Sequence, residues 1–461
     1  MMDLKNRSFT ILGAGRSGVA AASMLKRNGY KVFLSEENPE ETLKFFNRKL
    51  LLDQNIEFET GGHSDRIYEN DIFIVSPGIH PDSRVILKAS ELGKKICSEI
   101  EIAFSFCRCP VIAITGTNGK TTTTVLTGEI FRNAGYDTKV CGNVGLAFSE
   151  VADGLKEDSV AVLEVSSFQL ENTEDFRPVV SVILNITPDH LDWHKSFKNY
   201  LNAKEKIRKN QGKDEVAAVN FDDEILRNDL LSTKAKQAYF SIKKDLTAEG
   251  IETGCMIKEN TVIYFDKSKN INEAIMETGE INIRGNHNLY NSLAAVIAAK
   301  AFDIKKEIIR ETLKNFKGVE HRIEFVRELK GVRFYNDSKA TNTESLIVAL
   351  ESFEDNLILI MGGREKGNDY SSVEKLINEK VKLLIAIGES KDRITEYFSK
   401  RVKCLSADTM EQAVLLSFEN SSEGDTVLLS PACKSFDMFD SYEHRGKEFK
   451  KFVNNLQELD S

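Results

Sequence analysis

The chain has 461 residues, 41% of them apolar and 29% charged, with a formal net charge of −9, an ordinary globular composition with length for about three domains of ~150 residues. The acidic balance argues against a nucleic-acid partner, since phosphate contacts need a basic surface, but it allows a local basic cleft for a small anionic ligand. No charged-then-apolar leader precedes Ile11 and no apolar run approaches the length of a membrane span, so a cytoplasmic protein without membrane insertion is expected.

Seven cysteines are scattered along the chain. Cys107-Arg-Cys109 has no second pair at zinc spacing, so these read as reduced structural thiols. Ser8-Phe-Thr-Ile-Leu12 reads as a buried strand, Gly13-Ala-Gly-Arg-Ser-Gly18 as the turn after it, and a helix follows to about Asn28. A second strand, Lys31–Leu34, runs into Ser35 and Glu36. The glycine spacing fits a dinucleotide fingerprint, with Glu36 at about the 20-residue offset of an acid that holds a ribose. A dinucleotide, another nucleotide or a plain tight turn all satisfy these residues. Strand Asp71–Val75 leads into Ser76-Pro-Gly78-Ile79, at the carboxyl edge where open α/β sheets bind ligands. The first domain is expected over residues 1–106.

A second domain, expected over 107–317, opens with the apolar run from Pro110 to Thr115. It empties into Gly116-Thr117-Asn118-Gly119-Lys120-Thr121-Thr122, with a helix from Thr121 to about Ala134. A glycine turn ahead of a helix N-terminus leaves backbone N–H groups pointing at an anion, Lys120 can reach terminal phosphates, and the Thr121 hydroxyl suits Mg²⁺. The pattern departs from the usual phosphate loop because Ile114 stands where the first glycine would be. Asn143, in the turn Cys141–Gly145, can hydrogen-bond a ligand or simply serve the turn. Strand Ser159–Glu164 ends in a carboxylate where phosphate-loop enzymes place an acidic Mg²⁺ ligand. Ser166 and Gln169 after it form a capping-box pattern.

A third buried strand, Val179–Ile186, releases Thr187-Pro-Asp-His190-Leu-Asp-Trp-His194. The glutamate that a zinc helix needs after its first histidine is missing, so an oxygen-rich Mg²⁺ site with one imidazole fits better. Phe197 to about Gln211 reads as a basic amphipathic helix whose Lys198, Lys204, Lys206, Arg208 and Lys209 are by default a solvated face. Residues 212–283 alternate short strands with charged turns. The helix starting at Arg284 carries Asn288 and Asn291 on adjacent turns. Their amides suit an adenine edge, with helix N-capping the alternative for Asn288.

The last unit, expected over 318–461, has strands Val332–Tyr335, Leu357–Met361, Leu383–Ile387 and Val427–Leu429, each entering a polar or glycine loop. Strands alternating with helices in this way describe another doubly wound α/β domain. The fold class is therefore α/β, with a Rossmann-like N-terminal domain, a central P-loop-type ATPase domain and a C-terminal Rossmann-like domain.

Thr115–Thr121, including its displaced glycine, resembles the ATP loop of the Mur ligases. Leu163-Glu-Val-Ser-Ser-Phe-Gln-Leu170, Asn185–His190, His287-Asn288, His321-Arg322, Asn336–Asn342 and Leu429-Ser-Pro-Ala-Cys433 are similar, in order and joint occurrence, to markers of the family member that adds D-glutamate. The resemblance covers essentially the whole chain. It implies a monomer that ligates D-glutamate to UDP-N-acetylmuramoyl-L-alanine in cytoplasmic peptidoglycan synthesis, using ATP, through an acyl phosphate and a tetrahedral intermediate. It further implies catalytic roles for Lys120, Glu164, His190 and Lys204. Mg²⁺ at two sites falls to Thr121, Glu164, His190 and a carbamylated Lys204. ATP falls to Gly116–Thr122, Asn288, Asn291, Arg322 and Asp337, and the uridine substrate to Arg16, Ser17, Ser35, Glu36, Ser76, Gly78, Asn143 and His190. D-glutamate falls to Lys339, Thr341, Lys366, Ser435 and Tyr442. The chain has Glu36 where aspartate is usual and Tyr442 where phenylalanine is common. Folylpolyglutamate synthase shares the loop and the acyl phosphate but lacks a glycine-fingerprint first domain. A nicotinamide dehydrogenase would leave the phosphate loop idle, and a non-catalytic nucleotide module would not explain Glu164 and His190 beside it.

Overall fold

The computed structural model describes residues 3–228, 230, 232–364 and 367–457. These residues contain three sheets, of five, nine and six strands. The first is all parallel, in the spatial order Glu57–Thr60, Lys31–Glu36, Ser8–Leu12, Ile72–Val75, Lys95–Ser98. Chain order reverses beside Ser8–Leu12, and such a switch point opens a crevice at the strand's carboxyl end. The two outer strands escape a sequence reading because Glu57-Phe-Glu-Thr60 and Lys95-Ile-Cys-Ser98 carry polar residues, as edge strands do.

The nine-stranded sheet has Val111–Thr115 between Val160–Glu164 and Val180–Ile183, all parallel. Its apolar middle strands are buried at every position, which is why they read as continuous apolar runs rather than alternations. The third buried strand stops at Ile183, short of the expected Ile186. There the chain turns off, with Asn185 hydrogen-bonded to the phosphate loop and the Ile186 N–H donating to Asp223 Oδ2 at 2.8 Å. The short strands expected over 212–283 extend this sheet, ending in an antiparallel pair of ladders.

By packing, the chain divides into two compact units, 1–280 with 289–314, and 281–288 with 315–461. One apolar cluster runs from Phe9 and Ile11 through Ile100 to Val111, Phe148 and Phe176, and buried Glu101 accepts from the Asp175 and Phe176 N–H groups. In the second unit the six-stranded sheet adds Lys403–Ala407 and an antiparallel edge strand, Glu324–Leu329, to the four expected strands.

Candidate active site

The phosphate loop follows from its strand. Gly116 and Gly119 make the turn at φ 154° and 82°. A Cβ would stand 3.0 Å from Leu184 Cβ at the first and 2.3 Å from Asn291 Oδ1 at the second, so a side chain is excluded at Gly119 and crowded at Gly116. Ile114 is wholly buried in the strand and paired with Glu164 and Val182, so the turn is made two residues later than in the usual pattern. Helix Lys120–Asn133 starts from left-handed Gly119 with no side-chain cap, and the positive end of a helix dipole favours an anion there. The loop is held in place by Asn185, whose Oδ1 accepts from the Asn118 N–H at 2.8 Å and whose Nδ2 donates to the Asn118 carbonyl at 3.1 Å. Thr117 Oγ1 lies 3.0 Å from the Tyr200 hydroxyl. Lys120 folds over the loop and donates to the Gly116 and Thr117 carbonyls at 2.9 and 2.8 Å. Thr121 and Thr122 are buried at the helix start.

Glu164 ends the neighbouring strand at 3% exposure. Its Oε1 accepts from Asn143 Nδ2 at 2.7 Å, while Oε2 is buried with no hydrogen-bond partner among the described residues. An unpaired buried carboxylate oxygen costs on the order of 1–3 kcal/mol, and a hard divalent cation is the partner its chemistry suits. The Ser166–Gln169 capping box forms as expected and starts the helix Ser167–Glu171 beyond it.

The basic helix ends at Glu205, with a short tight turn over Lys206–Arg208, rather than at Gln211. Its expected solvated face is overturned at Lys204 and Arg208, which are 2% and 3% exposed, and Lys206 is half-buried. The helix packs on Ser167–Glu171, so that side is interior. Arg208 pairs with Glu205 at 3.2 Å. Lys204 Nζ donates to the Gly116 carbonyl at 2.8 Å and, at 3.4 Å, to Thr115 Oγ1, over the Tyr200 ring at 4.8 Å. Burial, then the Lys120 charge, hold this amine well below the ordinary lysine range against the pull of Asp189 and Glu164.

His190 is exposed at the same sheet edge, left-handed at φ 52°, with its ring 4.8 Å from Phe168 and Nε2 3.4 Å from Asp189 Oδ2. His194 is buried and bonded to Ser167 Oγ at 3.0 Å. Asn291 is buried and accepts from Thr123 Oγ1 at 3.1 Å. Asn288 lies inside helix Asn286–Lys300 rather than at its N-cap, and its amide donates to the Arg284 carbonyl at 2.8 Å.

In the first crevice, the Gly13 N–H donates to the Ser35 carbonyl at 2.9 Å, and Gly18 lies so close that a Cβ would meet the Gly13 carbonyl oxygen at 1.9 Å. Glu36 is buried against its own turn, accepting from the Ala14 N–H at 2.7 Å and from the Asn38 N–H and amide at 2.9 and 2.8 Å. The Ser35 hydroxyl lies 2.7 Å from Glu59 and 2.6 Å from His63 Nδ1. Arg16 donates to the Gly145 carbonyl at 2.6 Å, beside Asn143. Ser17 and Ser76 are half-buried and Gly78 is exposed at the crevice loops.

In the second unit, Asp337 is buried, accepts from Ser430 Oγ at 2.8 Å, and is pushed up to about 7 by burial, against the pull of that hydrogen bond and Arg322. Lys339 Nζ lies 5.4 Å from the Tyr442 ring. Thr341 is half-buried and Ser435 is buried in the loop after Cys433. Lys366 lies outside the described residues. One residue the sequence reading missed organises these loops. Arg445, 1% exposed, donates to Ser338 Oγ, the Ser338 carbonyl and the Cys433 carbonyl at 2.9, 2.7 and 3.0 Å. Tyr200 was missed likewise, and Asn185 stood only within a family marker, with no role assigned to it. An asparagine after an apolar run and an arginine in a charged helix carry no local signal of their partners.

Family models match along the chain: a MurD N-terminal domain over residues 8–85, a Mur ligase middle domain over 114–299, and the glutamate ligase domain of Mur ligases over 321–433. UDP-N-acetylmuramoylalanine–D-glutamate ligase of Salinibacter ruber is 40% identical over 98% of this chain and 99% of its own. The enzyme of that name from Chloroherpeton thalassium is 42% identical, with 98% and 99% covered. Among solved structures, UDP-N-acetylmuramate–alanine ligase MurC of Thermotoga maritima has a TM-score of 0.59 at 20% identity, covering 97% of this chain and 99% of that one. MurF ligase from the same organism, solved with ADP, has 0.59 at 17% identity, covering 98% and 99%. These two show a shared fold. With the phosphate loop, the strand-end glutamate and three matched domains in order, the chain belongs to the Mur ligase family, in the branch that carries the MurD N-terminal domain.

Proposed function

We propose that this protein joins D-glutamate to UDP-N-acetylmuramoyl-L-alanine, converting ATP to ADP and phosphate, in the synthesis of peptidoglycan precursors. The observation that carries the reading is Glu164, a buried carboxylate beside the phosphate-loop strand with one oxygen held by Asn143 and the other without a partner. A protein that took no cation there would leave a buried carboxylate oxygen without a partner. Residues 1–106 serve the uridine nucleotide, 107–317 ATP, and 318–461 the amino acid.

The backbone of Gly116–Thr122 cradles the triphosphate, and the Lys120 ammonium exchanges its loop carbonyls for terminal phosphate oxygens. Thr121 and Glu164 would hold one Mg²⁺, and His190 with a carbamylated Lys204 would hold a second. When bound, these ions neutralise phosphate charge and draw on the charge that develops during transfer. A substrate carboxylate oxygen takes the terminal phosphoryl group as its bond to ADP breaks. The neutral amine of D-glutamate then adds to the acyl carbon. The tetrahedral adduct expels phosphate, and nitrogen loses a proton to leave the amide. Phosphorylation is needed because a carboxylate is a poor electrophile with a poor leaving group.

Lys204 suits carbamylation, because only a neutral amine adds to CO₂, losing a proton as the carbamate forms. Its burial and the nearby Lys120 charge favour that neutral form. Asn288, Asn291, Arg322 and Asp337 serve the nucleotide. Arg16, Ser17, Ser35, Glu36, Ser76, Gly78, Asn143 and His190 serve the uridine substrate. Lys339, Thr341, Lys366, Ser435 and Tyr442 serve D-glutamate, a dianion that needs a cation and hydroxyl donors. The reaction is placed in the cytoplasm, carried out by a monomer. No helix among the described residues is long and apolar enough to cross a membrane.

The test is phosphate release from ATP with the muramoyl-alanine nucleotide, comparing D-glutamate, L-glutamate, L-lysine and diaminopimelate. Release that depends on D-glutamate supports the reading; indifference to it overturns the assignment of the amino acid.

A further inference from the structure

The segment joining helix Glu99–Phe106 to the phosphate-loop strand contains a feature the ligation chemistry does not use. Cys107 caps the helix, its N–H donating to the Ala103 and Phe104 carbonyls at 3.1 and 3.2 Å. Pro110 is fixed by the Ala161 N–H, which donates to its carbonyl at 3.1 Å. Between these anchors the Cys107 and Cys109 sulfur atoms face each other at 3.4 Å. Cys107 is half-buried, whereas Cys109 is 7% exposed.

We infer that Cys107 and Cys109 are a redox-active dithiol that closes to an intrachain disulfide when a peroxide reaches Cys107. The Cys107 thiolate attacks the peroxide O–O bond, giving a sulfenic acid and, after protonation, water. The Cys109 sulfur then attacks the sulfenic sulfur, the S–O bond breaks and a second water leaves. Two thiols thus surrender two electrons and two protons to one peroxide molecule. The sulfurs need only approach from contact to the bonded distance of about 2.05 Å. The contact between the two sulfurs draws the Cys107 thiol below its ordinary range and pushes the Cys109 thiol up, which sorts the pair into an attacking and a resolving sulfur. Cys97, Cys141 and Cys255 are buried thiols pushed up by that burial, and so are poor competitors.

Brief treatment of the reduced full-length protein with hydrogen peroxide, followed by thiol titration and mass spectrometry, tests this. Expected are the loss of two of the seven thiols, a mass decrease of about 2 Da located to a peptide holding Cys107 and Cys109, and full reversal by dithiothreitol. Cys109→Ala should block the mass loss and leave Cys107 as a sulfenic acid trapped by dimedone. Cys107 alkylation by iodoacetamide at neutral pH should also slow about three- to tenfold in that variant. Retention of all seven thiols, loss of thiols elsewhere first, or gain of about 32 Da on Cys107 without a disulfide would overturn the proposal.

Discussion

Lys204 combines burial with a second lysine nearby, and both effects press toward loss of its positive charge. If the anionic carbamate is the working form, Lys204→Arg keeps a cation where an anion is needed. Ligation should then fall by about 10²- to 10³-fold, the scale of losing a preorganised electrostatic group. A folded variant within a fewfold of the parent rate, or no carbamate signal by NMR after ¹³C-bicarbonate, would remove Lys204 from that role. Asp337 supplies a pH dependence. Its carboxyl sits at about 7 when folded and near its ordinary 3.8 when exposed, so its neutral form stabilises the fold. That contribution is complete below about pH 4 and is lost as pH rises through about 7, a change on the order of 4 kcal/mol. In nucleotide-free protein, Asp337→Asn should therefore lose less Tm than the parent between pH 5 and pH 8. Parallel curves would show that Asp337 is ionised throughout.

At the level of elements, the phosphate loop works because its strand and helix leave no room for alternatives. Gly119 is left-handed and abuts Asn291, so Gly119→Ala adds backbone strain of about 1–3 kcal/mol and a steric clash. ATP affinity by calorimetry should fall at least tenfold while the far-UV dichroism is retained; unchanged affinity would show that the loop relaxes freely. The same element shows what periodicity hides. The helix Phe197–Glu205 reads as a solvated basic face because lysine spacing reports side-chain chemistry and not what packs on it. The helix Ser167–Glu171 packs on it, and Lys204 is buried against the phosphate loop, its Nζ on the Gly116 carbonyl. The capping box, by contrast, is local, and Ser166 and Gln169 find each other as their spacing foretells.

For the whole molecule, the division into two compact units gives Arg445 a separable effect. Replacing it with leucine leaves the Ser338 hydroxyl, the Ser338 carbonyl and the Cys433 carbonyl without their buried donor, a loss of about 3 kcal/mol or more. Calorimetry should show the transition of the unit containing 315–461 falling by roughly 6–12 °C, with the other transition unchanged. Equal shifts in both would show that the units unfold together. The residues that speak locally were legible from the chain alone. Glycine turns after apolar runs, a helix behind Lys120 and a carboxylate at a strand tip are set by backbone sterics and by burial on both faces of a parallel strand. The α/β class and the phosphate cradle follow from them. Tertiary structure decided what depends on partners distant in sequence: the Asn185 clamp on the phosphate loop, the unpaired oxygen of Glu164, the burial of Lys204, the turn that engages Glu36 and the guanidinium of Arg445 under two loops. Such hydrogen bonds and desolvation arise only when the chain brings those groups together, and spacing along a sequence carries no record of that meeting.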